Sequence, residues 1–175
     1  LVDGPTALRP WRDEDAPSPA QAARDPEIPR WTAVPENYGE ADARSYLLQR
    51  YDMIAAGTAA PFAIVAAEAP EAGVLGSISL MRLSWNDRRG EVGYWLAARA
   101  RGRGHATRAV RLICHWGFAS LGLERIDLLA ATANPASQRV AQRAGFTREA
   151  VLRRYLRGKD GHQDMVAFGL LAGES

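Results

Sequence analysis

The chain has 175 residues, of which 47% are apolar and 24% are charged. This composition is typical of a folded globular protein with a sizeable core, and it argues against a disordered chain. The formal net charge is only +2, because 22 basic residues nearly balance 20 acidic ones. Bulk charge therefore predicts no strong nucleic-acid binding. No apolar run approaches the length of a membrane span, so we expect no membrane insertion.

The single cysteine and the first residues of the chain indicate the cellular compartment in which the protein is expected. Cys114 is the only cysteine, so no internal disulfide can form, and a reducing compartment fits. It lies on the apolar stripe of a predicted helix, which indicates a small buried hydrophobe rather than an acyl-carrying nucleophile. The start of the chain lacks the basic and then apolar layout of a signal peptide. We expect a cytoplasmic protein with a single domain over residues 1–175.

The first third of the chain predicts a short strand, two helices and a long loop between the helices. The strand is expected at residues 8–11, the helices at 15–24 and 40–56, and the loop at 25–39. Three prolines in the loop break regular structure, and a loop of this length is usually functional or mobile. Two roles fit this loop: a cover over a substrate site, or a packed surface segment that Trp31 anchors.

The remaining sequence predicts strands that alternate with helices and a final hairpin. Strands are expected at residues 62–66, 74–83, 91–97, 125–131, 146–157 and 164–171, helices at 106–121 and 134–144, and the hairpin turn at 158–161. The order of elements is β-α-α-β-β-β-α-β-α-β-β. This order predicts the α/β class, with a mixed α+β sheet flanked by helices.

One stretch, residues 93–109, organises the rest of the chain. It reads as the end of a strand, a turn with Gly102 and Gly104, and the start of a helix, and arginines stand at 99, 101 and 103. Glycine allows a positive φ and a close approach of the backbone to a ligand. The first amides of a helix have no internal acceptor and carry the positive end of the dipole. The junction therefore predicts an anion site, most simply for a phosphate or pyrophosphate.

The spacing fits neither the P-loop nor the dinucleotide fingerprint. Instead, Arg101-x-x-Gly104-x-Ala106 resembles the acyl-CoA pyrophosphate loop, (Q/R)xxGx(G/A), of the GCN5-related N-acetyltransferases (GNAT superfamily). Gly93-Tyr94-Trp95-Leu96 precedes the loop, and Asn134-Pro135-Ala136-Ser137 and Ala144-Gly145-Phe146 follow it, in the order found in that family. The branch that the sequence most resembles acetylates ribosomal-protein N-termini. The resemblance implies a central, mostly antiparallel sheet in which two neighbouring strands splay apart.

The resemblance also implies acetyl-CoA as the cosubstrate and a set of residues that bind it. The pantetheine arm is expected to pair with the strand edge at Leu96, Ala97 and Ala98. The pyrophosphate is expected to meet the backbone N–H groups of Arg103, Gly104, His105, Ala106 and Thr107. The 3′-phosphate is expected to pair with Arg101, Arg99 or Arg108. Asn134, which the sequence also predicts as a helix N-cap, is implied to contact the pantetheine, and Ser137 to lie near the CoA sulfur. No metal is expected, because the histidines show no ligand spacing.

The implied reaction is the attack of an amine on a thioester, which needs a group to take the amine's proton. Glu91 is the first candidate for that base, and the competing interpretation is a surface carboxylate paired with Arg89. Ser137 is a candidate for protonating the departing thiolate. Tyr155 is a candidate for the acid or for a wall of the pocket. The oxyanion is expected to accept a hydrogen bond from the backbone amide of Leu96 or Ala97.

The sequence leaves the acceptor and the acyl group open. Arg153 and Arg154 argue against a cationic acceptor and leave room for an anionic acyl group such as succinyl. Asp164 fits either an acceptor ammonium or a cap of the hairpin. A protein N-terminus, an internal lysine, a polyamine and an aminoglycoside-like amine all fit. Two other classes of function also fit, a non-catalytic acyl-CoA sensor and a nucleotide-binding regulator, and the oligomeric state is expected to be a monomer or a homodimer.

Overall fold

The computed structural model describes residues 1–158 and 161–174. Its strands are β1 (Val2–Asp3), β2 (Thr6–Arg9), β3 (Ala60–Ala66), β4 (Val74–Ser84), β5 (Arg89–Leu96), β6 (Arg125–Ala131), β7 (Thr147–Gly158) and β8 (Gly161–Leu171). Its α-helices are α1 (Pro17–Ala22), α2 (Glu27–Trp31), α3 (Glu40–Ala55), α4 (His105–Leu121) and α5 (Pro135–Arg143). Two short 3-10 helices precede α1 and α4, at Asp13–Asp15 and Ala98–Ala100.

The eight strands form one sheet in the order β1-β2-β3-β4-β5-β6-β8-β7. Neighbouring strands are antiparallel except for β5 and β6, which are parallel. The parallel pairing covers only three positions and ends where Glu91 is opposite Asp127. Strand β5 nevertheless runs on to Leu96 and β6 to Ala131. The two strands therefore separate in the middle of the sheet, as the resemblance implies.

Helices cover both faces of the sheet, and each face has its own core. On one face, buried residues of α4 such as Val110 and Ile113 pack against Ile78 and Leu80 of β4. On the other face, Leu47 of α3 packs in a second cluster with Trp11 and residues of β3 and β4. Full burial of one large aliphatic side chain contributes about 1.5–3 kcal/mol to folding, so these two clusters hold the sheet between its helices.

The structure confirms the sequence-based elements to within a few residues, with two exceptions. Strand β1 was not expected, and the segment 25–39 is not a loop throughout, because it contains α2. The prolines are compatible with α2 because of where they stand. Pro26 is the N-cap and Pro29 lies in the first turn, where a helix leaves its N–H groups without internal acceptors.

Two further sequence-based expectations concern the hairpin turn and the membrane. The two central residues of the predicted turn at 158–161, Lys159 and Asp160, lie outside the described residues. Among the helices of residues 1–158 and 161–174, none has both the length and the apolar character that a membrane span requires.

Candidate active site

The predicted anion loop forms an open cradle at the start of α4. Gly102 and Gly104 adopt φ values of 75° and 79°, and Gly104 is the N-cap of the helix. Gly102, Arg103 and Gly104 are exposed. The first helical hydrogen bond is donated by the Arg108 N–H to the Gly104 carbonyl, at 3.2 Å. The N–H groups that precede it at 105, 106 and 107 are those that a helix leaves without an internal acceptor.

Arg108 adds a positive charge to this cradle. Its guanidinium Nη1 donates to the Arg103 carbonyl at 3.0 Å. A Cβ built on Gly104 would lie only 2.7 Å from the same nitrogen, so the guanidinium rests directly against the loop. The loop amides and this guanidinium together suit a diphosphate, which gains charge-assisted hydrogen bonds from both.

The His105 side chain turns inward and fixes the start of α4. Its Nδ1 is hydrogen-bonded to the Thr6 hydroxyl of β2 at 2.8 Å, and only 8% of the residue is exposed. Burial lowers the pKa of His105, and the positive charges of Arg108 and Arg103 lower it further. The neutral ring anchors the helix to the sheet while the backbone amide next to it belongs to the cradle.

The register of β4 and β5 shows which backbone groups face the gap between β5 and β6. The Ala97 N–H donates to the Leu75 carbonyl at 2.9 Å. In an antiparallel pair such bonds alternate, so the N–H and C=O groups of Tyr94 and Leu96 point away from β4 and toward β6. They face the gap because β6 has already diverged. Of the two amides expected for the oxyanion, Leu96 therefore faces the gap, and Ala97 bonds to β4.

The arginines expected at the 3′-phosphate lie in different surroundings. Arg101 Nε and Nη2 donate to the Leu96 carbonyl at 3.1 and 2.9 Å, and Arg101 Nη1 pairs with the Asp25 carboxylate at 2.7 Å. Arg99 Nη2 donates to the Val74 carbonyl at 2.7 Å. Of the three candidates, Arg108 alone has its guanidinium against the anion cradle in the described contacts.

Asn134, Ser137 and Tyr94 meet on the α4 face of the sheet. The Asn134 side-chain oxygen accepts a hydrogen bond from the Ser137 N–H at 3.1 Å, which confirms the predicted N-cap of α5. The Tyr94 hydroxyl donates to the Ser137 Oγ, also at 3.1 Å. Burial raises the pKa of Tyr94, and the Ser137 hydrogen bond opposes part of that rise. At neutral pH, Tyr94 therefore keeps its proton and can donate it.

Sequence reasoning did not select the Tyr94 hydroxyl. The available signal was its place in the Gly93-Tyr94-Trp95-Leu96 motif. Tyr94 is three residues after Glu91 on the same strand, so the two side chains point to opposite faces of the sheet. Only the placement of α5 against β5 reveals that the hydroxyl reaches Ser137.

Glu91 lies on the opposite face of the sheet, in a cavity of about 250 Å³ that Tyr155 also lines. The carboxylate is ion-paired with Arg82 rather than with Arg89, whose guanidinium lies 3.7 Å from Asp87. Arg82 reaches Glu91 because β4 has a register irregularity between Met81 and Ser84. Such an irregularity cannot be seen in the sequence pattern.

Asp127 is a further carboxylate of this cavity, and sequence reasoning did not select it. It is the register partner of Glu91 and pairs with Arg125 at 2.6 Å. Arg125 also holds Glu149 at 2.6 Å, and these hydrogen bonds lower the pKa of Glu149. The available signal was an acidic residue near the start of a predicted strand, followed by four apolar residues.

A second cavity, of about 410 Å³, lies between α2 and the start of β8. Arg30 and Trp31 line one side, and His162 and Asp164 line the other. The Asp164 carboxylate accepts a hydrogen bond from the Arg154 N–H at 2.7 Å, where the backbone of Arg154 has a φ of 51°. Asp164 therefore supports the irregular backbone of the hairpin.

The two cavities lie on the same face of β6. Asp127 and Leu129 line the first cavity and Ala131 lines the second. Residues two apart on a strand share a face and are separated by about 7 Å, so the cavities are neighbours, and we refer to the pair as the groove. The groove lies on the face opposite α4, and the divergence of β5 from β6 begins beside its Glu91 end. A helix-start anion cradle beside a diverging strand edge is the layout of an acyl-CoA-dependent N-acyltransferase.

Comparisons with known proteins agree with this class. The family described as "Acetyltransferase (GNAT) domain" matches residues 6–147. The uncharacterized N-acetyltransferase p20 of Bacillus licheniformis is 30% identical over 167 residues, which cover 95% of this chain and 93% of that protein. The ribosomal-protein-serine acetyltransferase of Escherichia coli is 30% identical over 92 residues, which cover 53% of this chain and 51% of that protein. The structure of Mycobacterium smegmatis RimJ in complex with CoA-disulfide has a TM-score of 0.88 at 24% identity, covering 98% of this chain and 84% of that one.

The chain belongs to the GNAT acetyltransferase family, and it is an N-acetyltransferase whose cosubstrate is an acyl-CoA. The resemblance seen in the sequence and the predicted fold class are confirmed.

Proposed function

We propose that this protein transfers an acetyl group from acetyl-CoA to the α-amino group of a peptide or protein N-terminus. The observation that carries the proposal is the pairing of β5 and β6, which ends at Glu91 and leaves a gap between an anion cradle and a groove. The similarity to a relative named for acting on a ribosomal-protein serine supports a protein acceptor. We propose further that residues 1–175 act as one domain in the cytoplasm, as a monomer or a homodimer.

The donor is held by backbone groups on the α4 face. The amides of residues 103–107 and the Arg108 guanidinium bind the diphosphate. The edge of β5 at Tyr94 and Leu96, which no longer pairs with β6, receives the arm in the manner of an added strand. Several charge-assisted bonds of about 1.5–3 kcal/mol each suffice for useful affinity. Asn134 caps α5 and contacts the arm from the other side of the gap.

The chemical step uses a proton acceptor on one face of the sheet and a proton donor on the other face. Glu91, in the groove, takes the proton of the attacking amine, directly or through water. The Leu96 N–H donates to the thioester oxygen as negative charge develops there. Ser137 gives its hydroxyl proton to the departing thiolate and takes a proton from Tyr94, whose hydroxyl donates to the Ser137 Oγ. Tyr155 forms a wall of the groove beside Glu91. Transfer is direct, because Cys114 is fully buried and burial raises the pKa of its thiol to about 12.

The charge of the groove favours an α-amine over a polyamine. Each of the three carboxylates that line the two cavities already has a partner: Glu91 has Arg82, Asp127 has Arg125, and Asp164 has the Arg154 N–H. Arg30, Arg82 and Arg89 line the same cavities. Among residues 1–158 and 161–174, only Asp164 lines these cavities as a carboxylate without an arginine partner, so a substrate with several ammonium groups would find few sites for its charges. A peptide needs only one ammonium site, and its backbone can use the remaining polar groups.

The proton balance also favours an α-amine. The ordinary pKa of an α-amino group is about 7.7–8.0, so at pH 7 its neutral form costs only about 1 kcal/mol. The lysine amine, with an ordinary pKa of about 10.4, costs between about 4 and 5 kcal/mol. An α-amine therefore demands less of the group that accepts its proton.

The test is mass spectrometry of an amine panel incubated with acetyl-CoA and, separately, with succinyl-CoA. The panel contains peptides that begin with Ser, Ala or Met, the same peptides with a blocked N-terminus and an internal lysine, and spermidine. We expect acetylation of free N-termini at a rate at least about tenfold above that of lysine or spermidine. Preferred modification of spermidine or lysine would refute the proposal that the acceptor is an α-amino group. CoA binding without turnover of any amine would instead indicate a non-catalytic acyl-CoA sensor.

A further inference from the structure

Arg101 stands at the first position of the phosphate-loop motif, yet its side chain points back into the protein. Its Nε and Nη2 both donate to the Leu96 carbonyl, at 3.1 and 2.9 Å. Its Nη1 pairs with Asp25 at 2.7 Å. The Asp25 side chain is only 20% exposed, so this ion pair is better shielded from water than most surface pairs.

Asp25 in turn accepts hydrogen bonds from the first turn of helix α2. Its carboxylate Oδ1 accepts a hydrogen bond from the Glu27 N–H at 3.1 Å, and its carbonyl accepts one from the Ile28 N–H at 3.0 Å. Ile28 is buried in a cluster with Ala97, which directly follows β5. At its other end, α2 supplies Arg30 and Trp31 to the groove. One guanidinium therefore connects the end of β5 to the helix that forms part of the groove.

From these contacts we infer that Arg101 is a positioning residue for the acceptor and not a ligand of the CoA phosphates. It holds α2 against the end of β5 through Asp25. Because the Leu96 carbonyl faces the gap, the Arg101 guanidinium lies where the arm of the donor adds to β5. Binding of the arm and the position of α2 are therefore linked through Arg101, and such a linkage acts in both directions. This inference rests on the proposed function.

The first test separates the two roles of Arg101 by CoA affinity. Isothermal titration of CoA is compared for the wild type, Arg101→Gln, Asp25→Asn and Arg44→Gln, which removes the same charge from the exposed side of α3. We expect Arg101→Gln and Asp25→Asn to change the dissociation constant by no more than about threefold, and Arg44→Gln to leave it unchanged. A loss of about tenfold or more in Arg101→Gln, with none in Asp25→Asn, would identify a phosphate ligand and overturn the inference.

The second test measures the linkage itself by hydrogen–deuterium exchange of peptides that cover residues 25–39, with and without CoA. In the wild type, CoA is expected to slow exchange in α2 by about threefold or more. Arg101→Gln and Asp25→Asn are each expected to exchange faster and to lose the response to CoA. The double variant should add nothing further, because the two residues act as one pair. An unchanged CoA response in both single variants would overturn the inference.

The third test is kinetic and uses the peptide that the amine panel shows to be turned over fastest. Both variants are expected to raise the KM for this peptide by about fivefold or more while kcat changes less than about twofold, the pattern of lost acceptor positioning. A fall in kcat with an unchanged peptide KM would contradict the inference. If the wild type turned over no amine, the proposed function would fail, but the CoA titrations and the exchange data would still decide the role of Arg101.

Discussion

Glu91 and Asp127 lie opposite each other at the last paired position of β5 and β6, and the strands separate directly beyond them. Each carboxylate is held by its own arginine, Glu91 by Arg82 and Asp127 by Arg125. The pair therefore marks the closed end of the gap and faces the groove, where the attacking amine would arrive.

Glu91→Gln keeps the size of the side chain but removes the base. We expect kcat to fall by about 100-fold, the lower end of the range for a lost general base, because an α-amine needs little help with deprotonation. CoA affinity should stay unchanged, since Glu91 lies on the face opposite the cradle. Asp87→Asn is the matched control, because it removes an exposed carboxylate from the turn before β5. Equal rates for Glu91→Gln and the control would exclude Glu91 as the base.

Gly104→Glu tests the anion cradle. A carboxylate at this position would lie beside the diphosphate, and we expect CoA affinity measured by calorimetry to fall by about 100-fold or more. Gly104 has a φ of 79°, so any side chain there also strains the backbone. Gly104→Asn is the control, because asparagine tolerates this conformation better than other residues and adds no charge. A loss of affinity in Gly104→Asn as large as in Gly104→Glu would show that strain, not charge, is responsible.

Tyr94→Phe removes the hydroxyl that donates to Ser137. If Tyr94 supplies the proton for the departing thiolate through Ser137, kcat should fall by about 100-fold while CoA affinity stays within about twofold. Because burial raises the Tyr94 pKa above its ordinary value of 10.0, the wild-type rate should not decline on account of this group at any pH below about 10. A pH–rate profile checks this. A wild-type decline near pH 8 that disappears in Tyr94→Phe would contradict the assignment.

The pKa of His105 predicts how the free energy of unfolding depends on pH. Its pKa in the folded protein is lowered from the ordinary value of 6.5, mainly by burial. As the pH falls below about 6.5, His105 takes up a proton in the unfolded chain more readily than in the folded protein. The free energy of unfolding therefore decreases as the pH falls through this range. Urea unfolding at pH 7.5 and 5.5 should show this loss in the wild type and a smaller one in His105→Gln. A loss of equal size in both proteins would exclude His105 as its source.

Substitution and labelling of Cys114 test whether the acyl group passes directly from CoA to the amine. Its side chain is fully buried and its thiol pKa is raised to about 12, so a thiol reagent at pH 8 should label the native protein far more slowly than the protein in urea. Cys114→Ala should retain the wild-type kcat, apart from a modest loss of stability from the small cavity. Loss of turnover in a folded Cys114→Ala variant would point to an acyl-cysteine intermediate.

Local sequence patterns determined most of the secondary structure and the location of the proposed donor site. The strand predicted at residues 125–131 matches β6 at both ends, and the spacing from Arg101 to Ala106 indicated the loop that forms the cradle. These features were readable because they depend on neighbours in the chain: side-chain periodicity, a glycine at a positive φ, and an N-cap three residues before the N–H that it binds. The two-proline start of α2 was misread because proline is compatible with the first turn of a helix.

The tertiary structure alone decided which side chains meet across the sheet. Arg82 rather than Arg89 reaches Glu91, because an irregularity in β4 changes the direction of its side chain. Asp127 is opposite Glu91 because β6 pairs with β5 after an intervening helix. Arg101 forms an ion pair with Asp25, which lies 76 positions earlier in the sequence, instead of extending into solvent. Such contacts depend on the packing of elements that are distant in sequence, and no local pattern records how those elements pack.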